Sequence, residues 1–188
     1  MARALLRDNP MTFASRRTRA RGFTLIELAI VVVIVGILAV IAVAGYRKMV
    51  LSSKLTEATN MISAIRIAQE DYKTERGTYA DLGTTFCPTD GSTLKKTGWD
   101  QTTCAGGAWA QLPVHADGPV QFGYRTKGGA TGFADPFSLT WVNFTSANTK
   151  VPWYVVHAKA DLDGDGGNFT EMVGTSFQNT LFSRNIGE

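Results

Sequence analysis

Three aspartates in the last thirty residues of the sequence are spaced as ligands of a metal ion would be. Asp161, Asp163 and Asp165 alternate in the segment D-L-D-G-D-G-G, where Gly166 permits a sharp turn. Carboxylate and carbonyl oxygens are the ligands that Ca²⁺ prefers, and carboxylates this close repel one another unless a cation lies between them. The spacing predicts a short calcium loop, which makes calcium the one candidate cofactor.

The same segment is similar to the first half of an EF-hand loop, but the match stops there. The twelfth position of such a loop requires a bidentate glutamate, and here it is Met172, with Glu171 one residue too early. A complete EF-hand is therefore not expected. A hairpin turn formed by Asp and Gly is the alternative to a short calcium loop, and the sequence leaves both open.

A long apolar segment starts directly after a solitary glutamate, Glu27. No side chain from Leu28 to Gly45 is charged or polar, and a helix of this length spans roughly 27 Å, close to the ~30 Å hydrocarbon core of a bilayer. Four arginines precede the segment: Arg16, Arg17, Arg19 and Arg21. Such flanking charge predicts a single membrane span with its N-terminus in the cytoplasm. A cleaved secretory signal would have a shorter apolar run, of about 7–15 residues.

Glu27 is a functional candidate because an acid in or beside a membrane helix needs a partner. The alternative is that Glu27 lies at the membrane interface and is solvated, and its position alone does not decide between the two. The residues around Glu27 bear on which of these two roles it has. Residues 21–28 read R-G-F-T-L-I-E-L.

This segment resembles the prepilin motif of type IV pilins and of the related pseudopilins of type II secretion systems. In that family a basic leader, the class III signal peptide, ends in glycine and is followed by a hydrophobic residue, usually phenylalanine. A glutamate stands at the fifth position of the mature chain, and a long apolar helix follows. Gly22, Phe23 and Glu27 match these three positions, whereas Ala44 stands where many members have a proline.

The resemblance implies a fold and a series of processing steps. The expected fold is α+β, with a long N-terminal helix whose amphipathic half packs on an antiparallel sheet. A prepilin peptidase would cut after Gly22 and methylate the amino group of Phe23. From the inner membrane, the pilus assembly machinery would take the subunit into an extracellular filament of identical subunits. There the Glu27 carboxylate would pair with the Phe23 amine of a neighbour.

The resemblance also implies that the chain is a structural subunit and the substrate of these enzymes, not an enzyme itself. Twitching motility, adhesion, DNA uptake and secretion all use this scaffold, so the role of a filament stays open. A type II secretion pseudopilin is the first alternative. A signal-anchored periplasmic enzyme or binding protein is the second, although no catalytic Ser/His/Asp spacing and no glycine-rich phosphate loop supports it.

The positive charge of the chain is confined to its N-terminal segment. The whole chain carries +3, but six arginines and one acid, Asp8, fall in residues 1–22, so the remainder carries a net charge of −2. This disfavours nucleic-acid binding through a broad basic face and leaves a local patch open for such a partner. Two histidines and two cysteines are too few for a His/Cys zinc cluster.

Cys87 and Cys104 are predicted to form a disulfide. Everything after about residue 50 is expected outside the cytoplasm, where paired cysteines are usually oxidised. Closing a loop of about 18 residues stabilises a fold by roughly 3 kcal/mol in the chain-entropy model. Two free thiols are the alternative.

The segments of the chain follow from composition and periodicity. Residues 47–76 have apolar side chains at helical spacing, and Gly77 is a predicted helix stop. This apolar face consists of Leu51, Leu55, Ala58, Ile62, Ile65 and Tyr72. The predicted organisation is a leader at 1–22, a membrane or filament-core helix at 23–46, an amphipathic helix at 47–76, a disulfide-linked loop at 77–119 and a sheet with the C-terminal region at 120–188.

Apolar residues alternate with polar ones after residue 120, which predicts about four antiparallel strands. We expect them at residues 120–126, 137–145, 153–160 and 168–173. His157 alternates with apolar residues of the third run and is expected to be a sheet residue, not a metal ligand. One face of the sheet must be covered, and the amphipathic helix offers the large apolar stripe for it.

Overall fold

The structure is a computed structural model that describes residues 22–102, 104–144, 147 and 150–186. The contacts within the structure divide the chain into two units, with the boundary between Val43 and Ala44. The predicted leader lies outside the described residues, except for Gly22. The elements in chain order are α1 (Leu25–Arg76), a 3-10 helix (Cys104–Gln111), β1 (Gly123–Gly129), β2 (Trp153–Ala160), β3 (Thr170–Thr175) and β4 (Phe182–Arg184).

The helix α1 is one element of 52 residues and ends where the sequence predicts. Gly77 has a φ of 77°, and its amide donates a hydrogen bond to the carbonyl of Lys73 at 2.8 Å. A residue in this left-handed conformation closes a helix, and glycine adopts it without steric strain. Lys73 and Arg76 lie in the last turn, where positive charge complements the helix dipole.

In the first unit, the described part of α1 from Leu25 to Val43 is exposed along its whole length. Its most apolar stretch of 18 residues has a mean hydropathy of 3.2. Within the part of the chain that the structure describes, α1 is the one helix long and apolar enough to cross a membrane by length and composition. An exposed surface this apolar needs a lipid or protein neighbour.

In the second unit, the amphipathic part of α1 packs on the sheet and forms the main core. The predicted apolar face is confirmed, because Ala58, Ile62 and Ile65 are fully buried, and the remaining members contact the same core. The sheet contributes Tyr124, Tyr154, Val156, Ala158 and Met172 to it. Burying a side chain the size of Ile stabilises the fold by about 1.5–3 kcal/mol.

The four strands form an antiparallel meander in the order β1-β2-β3-β4. Neighbouring residues of a strand point to opposite faces, so the strands have a second face that does not meet α1. On this outer face, Arg125 lies opposite His157, and Glu171 lies opposite both Lys159 and Arg184. The register therefore gathers charged side chains from all four strands.

The prediction of a strand at residues 137–145 is wrong, and the fourth strand lies at Phe182–Arg184 instead. The Asp135 carboxylate accepts hydrogen bonds from the amides of Phe137 and Leu139, and Ser138 has a φ of 54°. A residue in the left-handed region interrupts an extended strand. The alternating apolar residues instead pack over the outer face of the sheet, in a second core that includes Leu139, Val142, Trp153, Val155 and Val173.

The loop between α1 and the sheet is held at several points. The buried side chain of Gln69 accepts a hydrogen bond from the Ala80 amide at 2.9 Å and donates to the Ala80 carbonyl at 3.0 Å and to the Thr126 hydroxyl at 3.1 Å. Cys87 exchanges backbone hydrogen bonds with Tyr124 in β1. The loop is therefore an ordered cover of the sheet edge, and it contains a 3-10 helix that the sequence analysis does not predict.

Candidate functional site

The start of α1 carries the predicted processing and assembly residues. Gly22, Phe23 and Thr24 directly precede the helix, and Phe23 is 87% exposed. The Thr24 amide and hydroxyl donate hydrogen bonds to Oε2 of Glu27 at 2.8 and 2.7 Å, and the Glu27 amide donates to the Thr24 hydroxyl at 3.3 Å. This reciprocal arrangement is a capping box, which satisfies backbone donors that the first turn of a helix leaves unpaired.

Glu27 therefore has a partner within its own chain. The sequence analysis missed this, although the signal was present: a threonine followed three residues later by a glutamate before an apolar helix. Only Oε2 takes part in these bonds, and within residues 22–102 and the other described segments Oε1 makes no hydrogen bond. One oxygen of the carboxylate thus remains available to a second donor.

The glycine at the predicted cleavage position is not required by the fold. A Cβ atom placed on Gly22 would meet no heavy atom within 4 Å, and the same is true of Gly36 and Gly45 in α1. Glycine in a helix interior lowers helix stability by about 1 kcal/mol relative to alanine. The described contacts of this chain give no reason for glycine at these three positions.

The three aspartates of the predicted calcium loop do lie together. One carboxylate oxygen from each of Asp161, Asp163 and Asp165 can be chosen so that all three lie within 4.8 Å of one another, and Asp161 is buried while the other two are exposed. Backbone amides already contact these carboxylates: those of Gly164 and Gly166 donate to Asp161 at 2.6 and 3.1 Å. This geometry suits a tight turn and also presents oxygens to a cation.

The pKa of Asp161 reflects two opposing effects. Burial acts to raise it, but hydrogen bonds from the amides of Gly164 and Gly166 hold the pKa below the usual value. The Asp161 carboxylate is therefore charged near neutral pH without a metal ion. Calcium binding stays a prediction.

Cys87 and Cys104 form the predicted disulfide, with a Cα–Cα distance of 5.4 Å. Both cysteines are buried in the main core, beside the segment that pairs with β1. The bond joins the start of the loop to the 3-10 helix and so fixes the cover of the sheet edge.

The sequence analysis missed a buried network of charged side chains on the outer face of the sheet in the second unit. His157 Nδ1 accepts a hydrogen bond from Arg125 Nε at 3.1 Å, and His157 Nε2 lies 2.8 Å from Oε2 of Glu171. The other oxygen of Glu171 accepts a hydrogen bond from Arg184. His157 is a sheet residue, as predicted, but it also connects two charged neighbours.

The network perturbs the protonation of its members in ways that follow from the contacts. Burial lowers the pKa of His157 despite the opposing effect of Glu171. Burial acts to raise the pKa of Glu171, but hydrogen bonds from His157 and Arg184 bring it to about 2. At neutral pH, then, a neutral His157 donates from Nε2 to a charged Glu171. No signal in the sequence would have found this network, because it depends on strand register.

A long N-terminal helix packed through its amphipathic part on a four-stranded antiparallel sheet, with a capped glutamate before an apolar segment, is the α+β fold of type IV pilins. Residues 17–43 match the family model described as the prokaryotic N-terminal methylation motif. This match covers the motif that carries the resemblance to the type IV pilins.

Three proteins similar to this chain are described as pilin or fimbrial proteins. The chain is 40% identical over 106 residues to the type IV major pilin protein PilA of Myxococcus xanthus, a match that covers 53% of this chain and 47% of that protein. It is 42% identical over 59 residues to the fimbrial protein EcpC of Eikenella corrodens, covering 31% and 39% of the two chains. A fimbrial protein of Pseudomonas aeruginosa is 48% identical over 50 residues, or 27% of this chain and 32% of that protein.

The chain spans less than half the length of each of these relatives. No solved structure matches the chain. The relatives named here are structural subunits by their descriptions, and none of the three is described as an enzyme.

Proposed function

We propose that this chain is a structural subunit of a type IV pilus. It enters the inner membrane as a prepilin, is cleaved after Gly22, is N-methylated on Phe23 and polymerises through α1. The observation that carries this proposal is the coincidence of the methylation motif over residues 17–43 with a capped helix start at Glu27 and an exposed apolar helix.

Processing by a prepilin peptidase and N-methyltransferase is supported by the surroundings of the cleavage position. Gly22 and Phe23 are exposed and precede the first helical residue, so a protease can reach the bond between them without unwinding α1. Because the fold does not require glycine at position 22, the selectivity of the peptidase is a reason for its presence.

Polymerisation is supported by the surface that α1 presents. Large apolar side chains from Phe23 to Val43 are at least half exposed. Lipid covers such a surface before assembly, and the helices of identical subunits cover it in a filament. Gly36 and Gly45 fit this arrangement, because small residues let neighbouring helices approach closely.

Pairing between subunits is supported by the oxygen of Glu27 that the capping box leaves unused. In a filament core of low dielectric, an unpaired carboxylate is costly, whereas a nearby amine satisfies it and fixes the axial register. Oε1 of Glu27 accepts a hydrogen bond from the Phe23 amine of a neighbour in this proposal, while Oε2 keeps its bonds to Thr24.

The proposal gives the chain two successive locations, the inner membrane and then the cell surface. The four arginines before the apolar segment favour an inner-membrane subunit with a cytoplasmic N-terminus, and assembly then carries the second unit to the cell surface. The assembly machinery is the further partner that this requires. A pseudopilin of a type II secretion system has the same processing and fold, and differs in forming a filament that stays in the periplasm.

The experiment is mass spectrometry on the sheared surface fraction and on the membrane fraction. A chain that begins at methylated Phe23 in the sheared fraction supports the pilus proposal. The same processed chain found only in membranes favours the pseudopilin. A chain that still carries residues 1–22, in a host with an active peptidase, contradicts both and favours a signal-anchored protein.

Two variants separate the pairing of Glu27 from its capping role. Thr24→Ala removes the two hydroxyl bonds of the capping box, keeps the bond from the backbone amide and keeps the carboxylate, at a cost of about 1 kcal/mol to the helix start. Glu27→Ala removes the carboxylate and its bonds. We expect the sheared filament fraction to be lost in Glu27→Ala and retained in Thr24→Ala. Equal loss in both variants would mean that capping alone explains the requirement for Glu27.

A further inference from the structure

A cavity of about 360 Å³ lies on the outer face of the sheet, beside the buried charged network. Its lining includes Arg125 of β1, Lys159 of β2, Glu171 of β3 and Arg184 of β4. The volume falls within the range of small-molecule sites. The cavity therefore combines the size of a ligand site with three cationic side chains and one carboxylate.

Aromatic rings hold two of these cations in place. The guanidinium carbon of Arg125 lies 4.3 Å from the ring centre of Phe86 and 4.1 Å from that of Phe137. The ammonium nitrogen of Lys159 lies 5.0 Å from the ring centre of Phe86 and 4.4 Å from that of Phe169. Contacts of this kind orient a cation without neutralising its charge.

The carboxylate in the cavity does not neutralise these two cations. Both oxygens of Glu171 are already bonded, one to His157 and the other to Arg184. Among the described residues, neither Arg125 nor Lys159 forms an ion pair with a carboxylate. Burial lowers the pKa of Arg125, and the charges of Glu171 and Asp135 oppose this effect without forming an ion pair with it.

Two further aspartates limit the charge that the cavity can attract. Asp135 acts on Arg125 through its charge, and Asp90 acts on Lys159 in the same way, although neither makes an ion pair there. The cavity therefore suits a ligand with one negative charge. A polyanion such as nucleic acid is disfavoured, because residues 23–188 carry a net charge of −2.

The rim of the cavity is polar. Ser138 and Thr140 line it and are exposed, and Ser138 has a φ of 54°, an uncommon conformation for a residue other than glycine. Backbone strain of this kind is found most often at binding sites. Cations cover the ring faces of Phe86 and Phe137, and Leu139 and Trp141 supply an apolar part of the lining. A ligand therefore meets a surface that is mainly polar, with guanidinium, ammonium and hydroxyl groups.

We propose that this cavity binds a sugar that carries one carboxylate, such as a uronic acid. Arg125 already contacts His157 Nδ1 through Nε and Nη2, and its Nη1 donates to the Thr84 carbonyl at 3.2 Å. Each Nη nitrogen keeps one further N–H, and this pair receives the two oxygens of the carboxylate while Lys159 adds its charge. Ser138 and Thr140 bond to the ring hydroxyls of the sugar. The apolar part of the lining is the smaller one, so the cavity favours a hydroxylated ligand over an apolar peptide terminus. The proposal does not depend on filament assembly, because all of its residues belong to the second unit.

The experiment is isothermal titration calorimetry of the full chain in detergent micelles with glucuronate as the probe. Glucose tests the need for the carboxylate, and a short peptide with a free C-terminal carboxylate tests the need for the sugar. We expect glucuronate to bind and glucose and the peptide not to bind. Binding of glucose as tight as that of glucuronate, or tighter binding of the peptide, would overturn the proposal.

Matched variants test whether the cationic residues of the cavity bind the ligand. We expect Arg125→Gln to weaken glucuronate binding at least tenfold, because a hydrogen bond to a charged group is lost. Lys127→Gln is the control: it removes the same charge two residues along β1, where Lys127 faces Asp81 at 3.8 Å and does not line the cavity.

A second variant keeps the test decisive if Arg125→Gln does not fold. Among the described residues, the Lys159 ammonium contacts two aromatic rings and forms no ion pair, so Lys159→Gln is expected to fold even if Arg125→Gln does not. Tryptophan fluorescence during denaturant unfolding checks that each variant is folded. Folded Lys159→Gln that binds glucuronate as tightly as the unchanged chain would refute the role of the cavity.

Discussion

Replacing Glu171 by glutamine tests whether the buried network stabilises the second unit through its charge. Glu171 is only 5% exposed, and its two oxygens accept hydrogen bonds from His157 and Arg184. Glutamine has the same size but no charge, and its amide nitrogen must face one of these donors. The variant Glu171→Gln therefore removes the charge and one acceptor without leaving a cavity.

The magnitude follows from the protonation of Glu171. A shift of its pKa from an ordinary value near 4.5 to about 2 corresponds to roughly 3 kcal/mol in favour of the folded, ionised state. The side chain of Arg184 is 43% exposed, so solvent screens its contribution. We therefore expect Glu171→Gln to lower the free energy of unfolding by about 2 kcal/mol at pH 7.

The sign of the pH dependence is fixed by the direction of the shift. Because the folded state holds Glu171 ionised below its ordinary pKa, this stabilisation is complete above about pH 4.5 and is lost as the pH falls to 2. His157 acts in the same direction below its ordinary pKa of 6.5, since burial keeps it neutral in the folded state. The Glu171→Gln variant lacks the pH-dependent contribution of the carboxylate, so the difference between the two stability curves shrinks toward pH 2.

The assay is denaturant unfolding of the full chain in micelles from pH 7 to pH 2, followed by tryptophan fluorescence. Glu75→Gln, an exposed change in the last turns of α1, is the control and should alter stability by less than about 0.5 kcal/mol. A stability difference between the unchanged chain and Glu171→Gln that stays constant across this pH range would refute the reasoning.

Two further predictions concern the disulfide and the aspartate loop. Replacing Cys87 and Cys104 by serine should lower the free energy of unfolding by about 3 kcal/mol, measured by denaturant titration; a loss well under 1 kcal/mol would show that the loop stays ordered without the bond. If Asp161, Asp163 and Asp165 bind calcium, a concentration 100 times the Kd should stabilise the chain by about 2.7 kcal/mol in thermal unfolding. Asp163→Asn should abolish that increase, and calorimetry without heat on calcium addition would remove the prediction.

The helix and its buried face could be predicted because their signals are local. The end of α1 depends on Gly77, and the buried face depends on a spacing of three and four residues, which the sequence displays directly. Both follow from the chain's own geometry and not from distant contacts.

The prediction of a strand at residues 137–145 was wrong because alternation has two physical causes. An extended strand with one buried face alternates, and so does an irregular segment that packs apolar side chains over a sheet, as Leu139 and Val142 do. Asp135 followed by Pro136 was the local signal for a turn. The outer face of the sheet is thus covered by a segment that resembles a strand in sequence.

The charged network depends on register, which no local pattern encodes. Arg125 and Arg184 are separated by 59 positions in the sequence, and they share one cavity only because the meander aligns β1 with β2 and β3 with β4. A slip of one residue would turn His157 and Glu171 to opposite faces. The contacts of a charged residue in a strand therefore cannot be inferred from the sequence until the strand register is known.

The capping box reduces the number of hydrogen bonds that the proposed filament contact has to supply to the Glu27 carboxylate. A carboxylate at a membrane helix is usually taken to be unsatisfied until it meets a partner, but here Thr24 bonds one oxygen of Glu27 and the first turn of α1 is closed by the same contacts. Before assembly, the subunit thus carries a partly satisfied carboxylate, which lowers the cost of holding it near lipid. Assembly through Oε1 then adds a bond without breaking the cap. The proposed pairing of subunits and helix capping are therefore compatible in one side chain, and Thr24→Ala, which lacks the hydroxyl bonds of the cap, separates them.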